Sequence, residues 1–251
     1  LVEQNLPREL QPNHIVQALK GPGKARYLIR TADHVITSSP FLNEFCLKIN
    51  PHRACTYISS SVDTNRFQPV SRYSNERLVT IGWTGTFSSK VFLDQLRDVF
   101  LKLAKRVQFR LKIIGNFDYS LPGVDLEVIR WSAETEVRDL QSLDIGVYPL
   151  PVEDWVLGKS GLKAIQYMAF GLPCVATKVG TAPLLITDRV NGRLVTTQGE
   201  WIDALEELVV NPGLRRKLGE QARRDAVTKY SLDATGLLYD KVINSVMENV
   251  E

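Results

Sequence analysis

The hydrophobic pattern of the chain becomes regular from about residue 77. Short runs rich in apolar and β-branched residues then alternate with segments whose apolar residues recur at helical spacing, which predicts strands alternating with amphipathic helices. The predicted strands are residues 77–83, 109–114, 126–131, 144–148, 173–177 and 193–196. The predicted helices are residues 90–106, 134–143, 161–170, 200–210, 214–230 and 233–249. Asp233 is the expected N-cap of the last helix.

This alternation predicts the α/β class, with a parallel sheet that helices cover on both faces. We expect a Rossmann-like, doubly wound domain at residues 71–232 and a C-terminal helix at residues 233–251. Residues 1–70 predict the end of a preceding α/β unit and a linker, too short for a complete domain. The elements expected there are a helix at 24–32, a strand at 34–38, a helix at 41–49 and a strand at 55–59.

Composition narrows the classes of function. The 251 residues are 44% hydrophobic and 24% charged, which is typical of a globular protein and excludes a disordered one. A net charge of +3 gives no support for nucleic-acid binding. The three cysteines lack a C-x-x-C spacing, so we expect reduced thiols, no zinc site and a cytoplasmic protein. No run approaches the ~18 apolar residues of a membrane span, and Leu1 in place of Met leads us to expect missing upstream sequence.

Residues 158–173, GKSGLKAIQYMAFGLP, carry the strongest candidate chemistry. In a helix, Lys159, Lys163 and Gln166 would share one face, because they are spaced by four and three residues. The opposite, apolar face is predicted to hold Leu162, Ile165 and Ala169. Gly158 and Gly161 flank the start of the helix, where free amide groups and a positive partial charge attract anions. The segment predicts a cradle for a diphosphate; the alternative is a surface helix whose lysines face water.

Residues 82–90, GWTGTFSSK, follow the first strand of the regular part and open its first helix. Gly82 and Gly85 are three residues apart, whereas the dinucleotide fingerprint G-x-G-x-x-G needs a spacing of two and a third glycine. The pattern therefore does not support a nicotinamide site. It fits a glycine turn that holds one anionic or sugar group; an ordinary tight turn is the alternative.

Basic residues also cluster in the predicted helix 214–230. Residues 214–217 and Arg223–Arg224 form a basic face on it. Such a face is either simply solvated or in peripheral contact with an acidic membrane surface. The second alternative would place the protein at the inner face of the membrane.

Several segments, in order along the chain, resemble motifs of one enzyme family. Residues 32–39 (ADHVITSS) resemble the last strand of the family's first domain, and residues 62–67 (VDTNRF) resemble its interdomain V-D-x-x-x-F segment. Residues 167–177 (YMAFGLPCVAT) resemble the x-M-A-x-G-x-P-V-V-A motif, and residues 192–195 (GRLV) the G-x-L-V turn. On these motifs the chain resembles the retaining glycosyltransferases of family 4, which have the two-domain GT-B fold.

The resemblance implies the C-terminal, donor-binding half of a GT-B fold, preceded by the end of the N-terminal domain. It implies sugar transfer from a nucleotide-diphosphate donor to an unidentified glycan, lipid or small-molecule acceptor, with no cofactor besides this substrate. Lys159 and Lys163 would bind the diphosphate, Gln166 the ribose, and Gly85 with Lys90 the distal phosphate or sugar. The residues that would border the base are Arg130, Trp131 and Ser132.

The chain departs from the family at two glutamates that are usually eight residues apart. Gly158 and Gln166 occupy these positions, and no residue is assigned a catalytic role. There is no D-x-D motif to supply oxygen ligands for a divalent metal. We therefore expect no metal site, with positive charge and helix amides stabilising the leaving diphosphate.

Two other functions stay open. A degenerate transferase domain would act as a non-enzymatic binding or assembly partner. A GT-B sugar-nucleotide epimerase would need acidic and histidine residues in the cleft, and no histidine follows His52. We expect the present chain to bind donor without transferring sugar, because the acceptor is held mainly by the first domain of such enzymes.

Overall fold

The computed structural model describes residues 21–70 and 78–248. The linker predicted at 71–75 and the first 20 residues lie outside this part of the chain. Residues 21–70 form a small unit of two helices and a two-stranded parallel sheet, in the predicted order. Its elements are the helix Pro22–Thr31, strand β1 (Val35–Thr37), the helix Pro40–Ile49 and strand β2 (Cys55–Tyr57).

A single asparagine holds the loops of this small unit together. The Asn50 side-chain amide donates to the carbonyl oxygens of Ile29 and Ala32, both at 2.9 Å. Its Oδ1 accepts from the backbone N–H groups of His52 and Ala54 at 3.0 and 3.2 Å. Asn50 is 3% exposed, so these four bonds satisfy a buried amide that would otherwise destabilise the unit.

The second unit is built on a six-stranded sheet in which every pair of neighbours is parallel. The strands are β3 (Thr80–Gly85), β4 (Arg110–Gly115), β5 (Asp125–Ile129), β6 (Ile145–Tyr148), β7 (Cys174–Thr177) and β8 (Gly192–Val195). Their order is β5-β4-β3-β6-β7-β8, which confirms the Rossmann-like α/β prediction. The direction of winding reverses between β3 and β6, and ligands of such sheets bind at this reversal, beyond the carboxyl ends of the strands.

Helices cover both faces of the sheet. They are Lys90–Asp94, Arg97–Leu103, Glu136–Gln141, Leu162–Ala169, Ala182–Leu185, Gln198–Val210, Pro212–Lys229 and Leu232–Glu248. Two separate apolar clusters result, one around Tyr167 and Phe170 and the other around Phe100 and Trp201. None of the described helices is long and apolar enough to cross a membrane. All three cysteines are free thiols, as predicted.

Three details of the helices differ from the sequence predictions. The helix expected at 90–106 is interrupted at Gln95–Leu96, where the backbone leaves regular α geometry, so that two short helices replace it. Leu162 is 41% exposed instead of facing the core, because it occupies the first turn of its helix. The N-cap of the last helix is Ser231, whose Oγ accepts from the Ala234 N–H at 3.1 Å, and not Asp233.

One arginine fixes the segment that follows the small unit onto the second unit. Arg223 donates to the carbonyl oxygens of Thr64 (2.9 Å), Phe67 (2.7 Å) and Ala169 (2.7 Å). Val62 also pairs with Ser231 in a parallel bridge beside the start of the last helix. The segment therefore belongs structurally to the second unit, and it positions residues 62–70 beside the sheet.

Candidate functional site

The site lies where β3 and β6 end side by side. β3 ends at Gly85 and continues into the short 3-10 helix Phe87–Ser89. From the helix Leu162–Ala169, which follows β6, Lys163 extends back over the end of β3. Its ammonium is 3.4 Å from the Ser89 Oγ and 4.6 Å from the centre of the Trp83 ring. The lysine is thus held by a hydroxyl and an aromatic face, both supplied by the neighbouring strand and its turn.

Gly85 makes room for this lysine. A Cβ atom at residue 85 would lie 2.3 Å from the Trp83 ring and 2.6 Å from the Lys163 Nζ, closer than any real contact. The missing side chain therefore lets the ammonium lie directly on the strand end. In the structure Gly85 lies against the Lys163 ammonium, whereas the sequence prediction paired Gly85 with Lys90.

Lys159 reaches the same region from outside the helix. The predicted helical face of Lys159, Lys163 and Gln166 is wrong for Lys159, because the helix begins only at Leu162. Lys159 instead ends the 3-10 helix Asp154–Gly158 in extended conformation. Its ammonium lies 5.4 and 5.2 Å from the ring centres of Phe92 and Trp155. The interruption arises at Gly161, whose positive φ of 77° is strained for residues with a Cβ.

The two lysines form a region of uncompensated positive charge. Within the described ranges neither one has a carboxylate at ion-pair distance. Burial, and after it the charge of the nearby Lys159, lowers the pKa of Lys163 to about 8. Burial also lowers the pKa of Lys159. An anionic group bound here would favour the ammonium forms, which is the electrostatic requirement of a phosphate site.

Tyr167 fastens the helix to the sheet at this place. Its hydroxyl accepts from the Thr84 N–H at 3.0 Å, and the ring is fully buried. A Cβ at Gly146 would lie 2.4 Å from that ring, so the glycine of β6 is what lets Tyr167 pack against the sheet. Because Lys163 is one turn before Tyr167 on the helix, this anchor also sets the height of the ammonium above β3.

Lys90 has a different environment from Lys163. Its ammonium is 2.7 Å from the Asp94 Oδ2 and 5.3 Å from the centre of the Tyr119 ring. A carboxylate therefore already compensates its charge. The sequence had suggested that Lys90 and Gly85 form one anion site. The structure does not bring the two together in such a site.

The predicted base-side residues lie just beyond β5, which ends at Ile129, so that Arg130 and Trp131 fall outside the strand. Arg130 is exposed and Trp131 is 41% exposed. The Ser132 Oγ accepts from the Thr135 N–H at 3.2 Å and so closes the turn. The three residues form one short loop at the carboxyl edge of the sheet.

Gln166 and Gly158 complete the predicted set. Gln166 is partly buried on the helix, three residues after Lys163. Gly158 lies before the helix, and a Cβ there would be 3.6 Å from the Leu42 side chain. Gly158 therefore lies where the second unit meets the small one.

Sequence reasoning missed the two groups that contact Lys163. Trp83 looks like an ordinary buried strand residue, and Ser89 like an ordinary turn residue. They are 80 and 74 positions from Lys163 in the sequence, and only the packing of the helix on β3 brings them together. The glycine at position 85 was the one local signal available.

The chain matches a family model, curated proteins and solved structures, and all three kinds of match are to sugar-transferring enzymes. Residues 79–211 match the family model "Glycosyl transferases group 1". A segment of 68 residues is 40% identical to a D-inositol 3-phosphate glycosyltransferase of Saccharomonospora viridis and covers 26% of this chain and 16% of that protein. This chain is similar in structure to a sucrose-phosphate synthase from Thermosynechococcus elongatus, with a TM-score of 0.75, 17% identity and coverage of 98% of this chain and 65% of that one.

A second solved structure is HepE from Anabaena in complex with UDP and glucose. Its TM-score is 0.70 at 16% identity, over 89% of this chain and 66% of that chain. The chain thus spans less than two thirds of the length of these relatives. The shared fold is that of GT-B glycosyltransferases, as the sequence motifs indicated.

Proposed function

The chain belongs to the group 1 glycosyl transferases, and we propose that its second unit binds the diphosphate of a nucleotide-sugar donor at the carboxyl ends of β3 and β6. The observation that carries this proposal is the Lys163 ammonium, which is partly buried and has no carboxylate partner within residues 21–70 and 78–248. Taking a cation out of water without a counter-ion is unfavourable. An anionic ligand offsets that cost, and Lys159 adds a second charge to attract it.

The other predicted residues fit the remaining parts of such a donor. Gln166 lies three residues beyond Lys163 on the helix, and its amide would bond a ribose hydroxyl. The loop containing Arg130, Trp131 and Ser132 would border the base. β5 is two strands away from β3, or roughly 10 Å at the usual strand spacing. This separation matches the length of a nucleoside between its base and its diphosphate.

For the whole protein we infer transfer of the sugar, with retention, to a glycan, lipid or small-molecule acceptor. The lysines and the amide groups at the start of the helix Leu162–Ala169 would stabilise the charge that develops on the leaving diphosphate. The positive charge is supplied by side chains, so the proposal includes no metal and no cofactor. The basic face around Arg224 would be the place of any peripheral contact with an acidic membrane surface.

The replacement Lys163→Ala tests the diphosphate site. A charge-assisted hydrogen bond is worth about 1.5–3 kcal/mol, so the affinity for uridine diphosphate should fall by one to two powers of ten. Isothermal calorimetry measures this loss. Lys105→Ala removes an equal charge from an exposed position and should leave the affinity unchanged. Equal affinities of Lys163→Ala and the unchanged chain would contradict the proposal.

A radiolabelled nucleotide sugar tests the division between binding and transfer. We expect the 251-residue chain to bind the donor but not to transfer its sugar. The affinity for the donor should be the same with and without a metal chelator. Positioning of a second substrate lowers the reaction barrier by roughly 7–11 kcal/mol, and this positioning would come from acceptor binding by a first domain.

Transfer by this chain would place the acceptor site within it. A requirement of donor binding for Mg²⁺ or Mn²⁺ would contradict the lysine-based site. Recovery of an epimerised donor would instead support the epimerase alternative.

A further inference from the structure

The loop after β5 contains an exposed aromatic ring whose orientation is fixed. Trp131 is 41% exposed, yet its indole Nε1 donates to the Glu136 Oε1 at 3.2 Å. Glu136 begins the helix Glu136–Gln141, and its side chain is only 15% exposed. A large ring in contact with solvent is normally free to change rotamer. Here a largely buried carboxylate holds it in one orientation.

The second oxygen of the same carboxylate is also occupied. Arg66 approaches the Glu136 Oε2 at 3.4 Å and donates to the Ala133 carbonyl at 3.2 Å. Arg66 comes from the segment that joins the two units. Asp63 fixes its backbone, because the Asp63 Oδ1 accepts from the Arg66 N–H at 3.0 Å. Glu136 is therefore the connection between this joining segment and the Trp131 ring.

We propose that Glu136 is a positioning residue that presents Trp131 as a stacking surface for the base of the donor, with Arg66 holding Glu136 in place. A stacking contact is favourable when the ring is already oriented, since no rotamer freedom is then lost on binding. The inference rests on the proposed function, because the base is located relative to the diphosphate at Lys163. It adds a role for two side chains that make no contact with the donor themselves.

The test compares two ligands that share a diphosphate, of which only one carries a nucleoside. Uridine diphosphate and inorganic pyrophosphate are titrated into the variants by calorimetry. Stacking of a base on an aromatic ring is worth about 1–3 kcal/mol, so Trp131→Ala should weaken uridine diphosphate binding at least about fivefold. Glu136→Ala should do the same, and both should leave pyrophosphate binding unchanged. If Glu136 only stabilised the fold, its replacement would weaken the binding of both ligands to the same extent.

Matched variants sharpen this experiment. Glu134→Ala removes the same charge from an exposed position of the same loop and should have no effect. Glu136→Gln keeps an acceptor for the indole and should restore much of the affinity that Glu136→Ala loses. The double variant of Trp131 and Glu136 should lose no more than Trp131→Ala alone, because both act through one ring.

The outcomes separate the inference from the proposed function. An unchanged ratio of the two affinities in Glu136→Ala overturns the role of Glu136, even if Lys163→Ala abolishes binding of both ligands. Loss of uridine diphosphate binding in Glu136→Ala, with no effect of Lys163→Ala on either ligand, supports the stacking surface and overturns the diphosphate site. Failure of the unchanged chain to bind either ligand overturns both.

Discussion

At the scale of single residues, Lys163 differs from the lysines of the described ranges that form ion pairs. Lys90 and Lys112 lie within 3.1 Å of a carboxylate oxygen, whereas Lys163 has a hydroxyl and an aromatic ring. Its pKa of about 8 reflects burial first and the charge of Lys159 second. A bound diphosphate raises the pKa of Lys163 again, because its negative charge favours the ammonium form.

This environment predicts a pH dependence of donor binding. The ammonium form binds better, so affinity for uridine diphosphate should be full below pH about 8 and should fall as the pH rises above that value, by up to about tenfold per unit. The terminal phosphate, with a pKa of about 6, keeps its charge over this range. Calorimetry at a series of pH values from neutral to alkaline measures the decline.

Lys163→Arg is the matching control, because a guanidinium stays charged throughout this range. Its affinity, whatever its absolute value, should be nearly independent of pH. The same decline in this variant would assign the pH dependence to another group.

At the scale of elements, the helix Leu162–Ala169 is positioned by its contacts with the backbone of the sheet and not by its own sequence alone. The Tyr167 hydroxyl bonds the Thr84 N–H, and Gly146 leaves space for the ring. The turn at Gly161, with a Cβ position 2.4 Å from the Leu185 side chain, fixes where the helix begins. The hydrogen bond, the space at Gly146 and the turn at Gly161 together determine the position of Lys163 above Gly85.

The replacement Tyr167→Phe tests this anchor. It removes one hydroxyl and leaves the partly buried Thr84 N–H without its acceptor, which costs about 1–3 kcal/mol of unfolding free energy. Urea denaturation measures the change in midpoint. Tyr239→Phe, on the partly exposed last helix, is the control and should change the midpoint little. Equal effects of the two replacements would show that the Tyr167 hydroxyl does not stabilise the fold.

At the scale of the whole molecule, the small unit and the sheet are connected through the segment at residues 62–70. Arg223 bonds two carbonyl groups of this segment and the end of the helix Leu162–Ala169. Burial lowers the pKa of Arg223, but the guanidinium stays charged at neutral pH. One side chain therefore joins the segment, the donor-side helix and the helix Pro212–Lys229.

Arg223→Met should release this segment without unfolding the sheet. Hydrogen bonds from a charged donor are worth about 1.5–3 kcal/mol each, so amide exchange within residues 62–70 should become at least about tenfold faster. Hydrogen exchange followed by mass spectrometry measures the rates. Arg224→Met, whose guanidinium bonds only the Gln221 side chain among the described residues, should leave them unchanged. Accelerated exchange in both variants would indicate general destabilisation.

Much of the architecture was determined by the sequence itself. Buried parallel strands need continuous apolar runs, and their covering helices need an amphipathic pattern, so β3 to β8 and the order of elements were predictable from local periodicity. The motif at residues 167–177 likewise indicated the glycosyltransferase family. The small unit followed the same logic, because helix and strand signals alternate in residues 21–70 as well.

Only the tertiary structure decided how the candidate site is assembled. Periodicity placed Lys159 on a helix that in fact begins after Gly161. The left-handed turn at Gly161 could not be predicted, because such a turn has no characteristic pattern of apolar residues. Lys90 is compensated by Asp94, one turn away on its own helix, whereas Lys163 meets Trp83, which is 80 residues away in the sequence. The physical reason is that the burial of Lys163 and the groups around its ammonium arise from packing between elements, whereas periodicity reports only how one element meets the core.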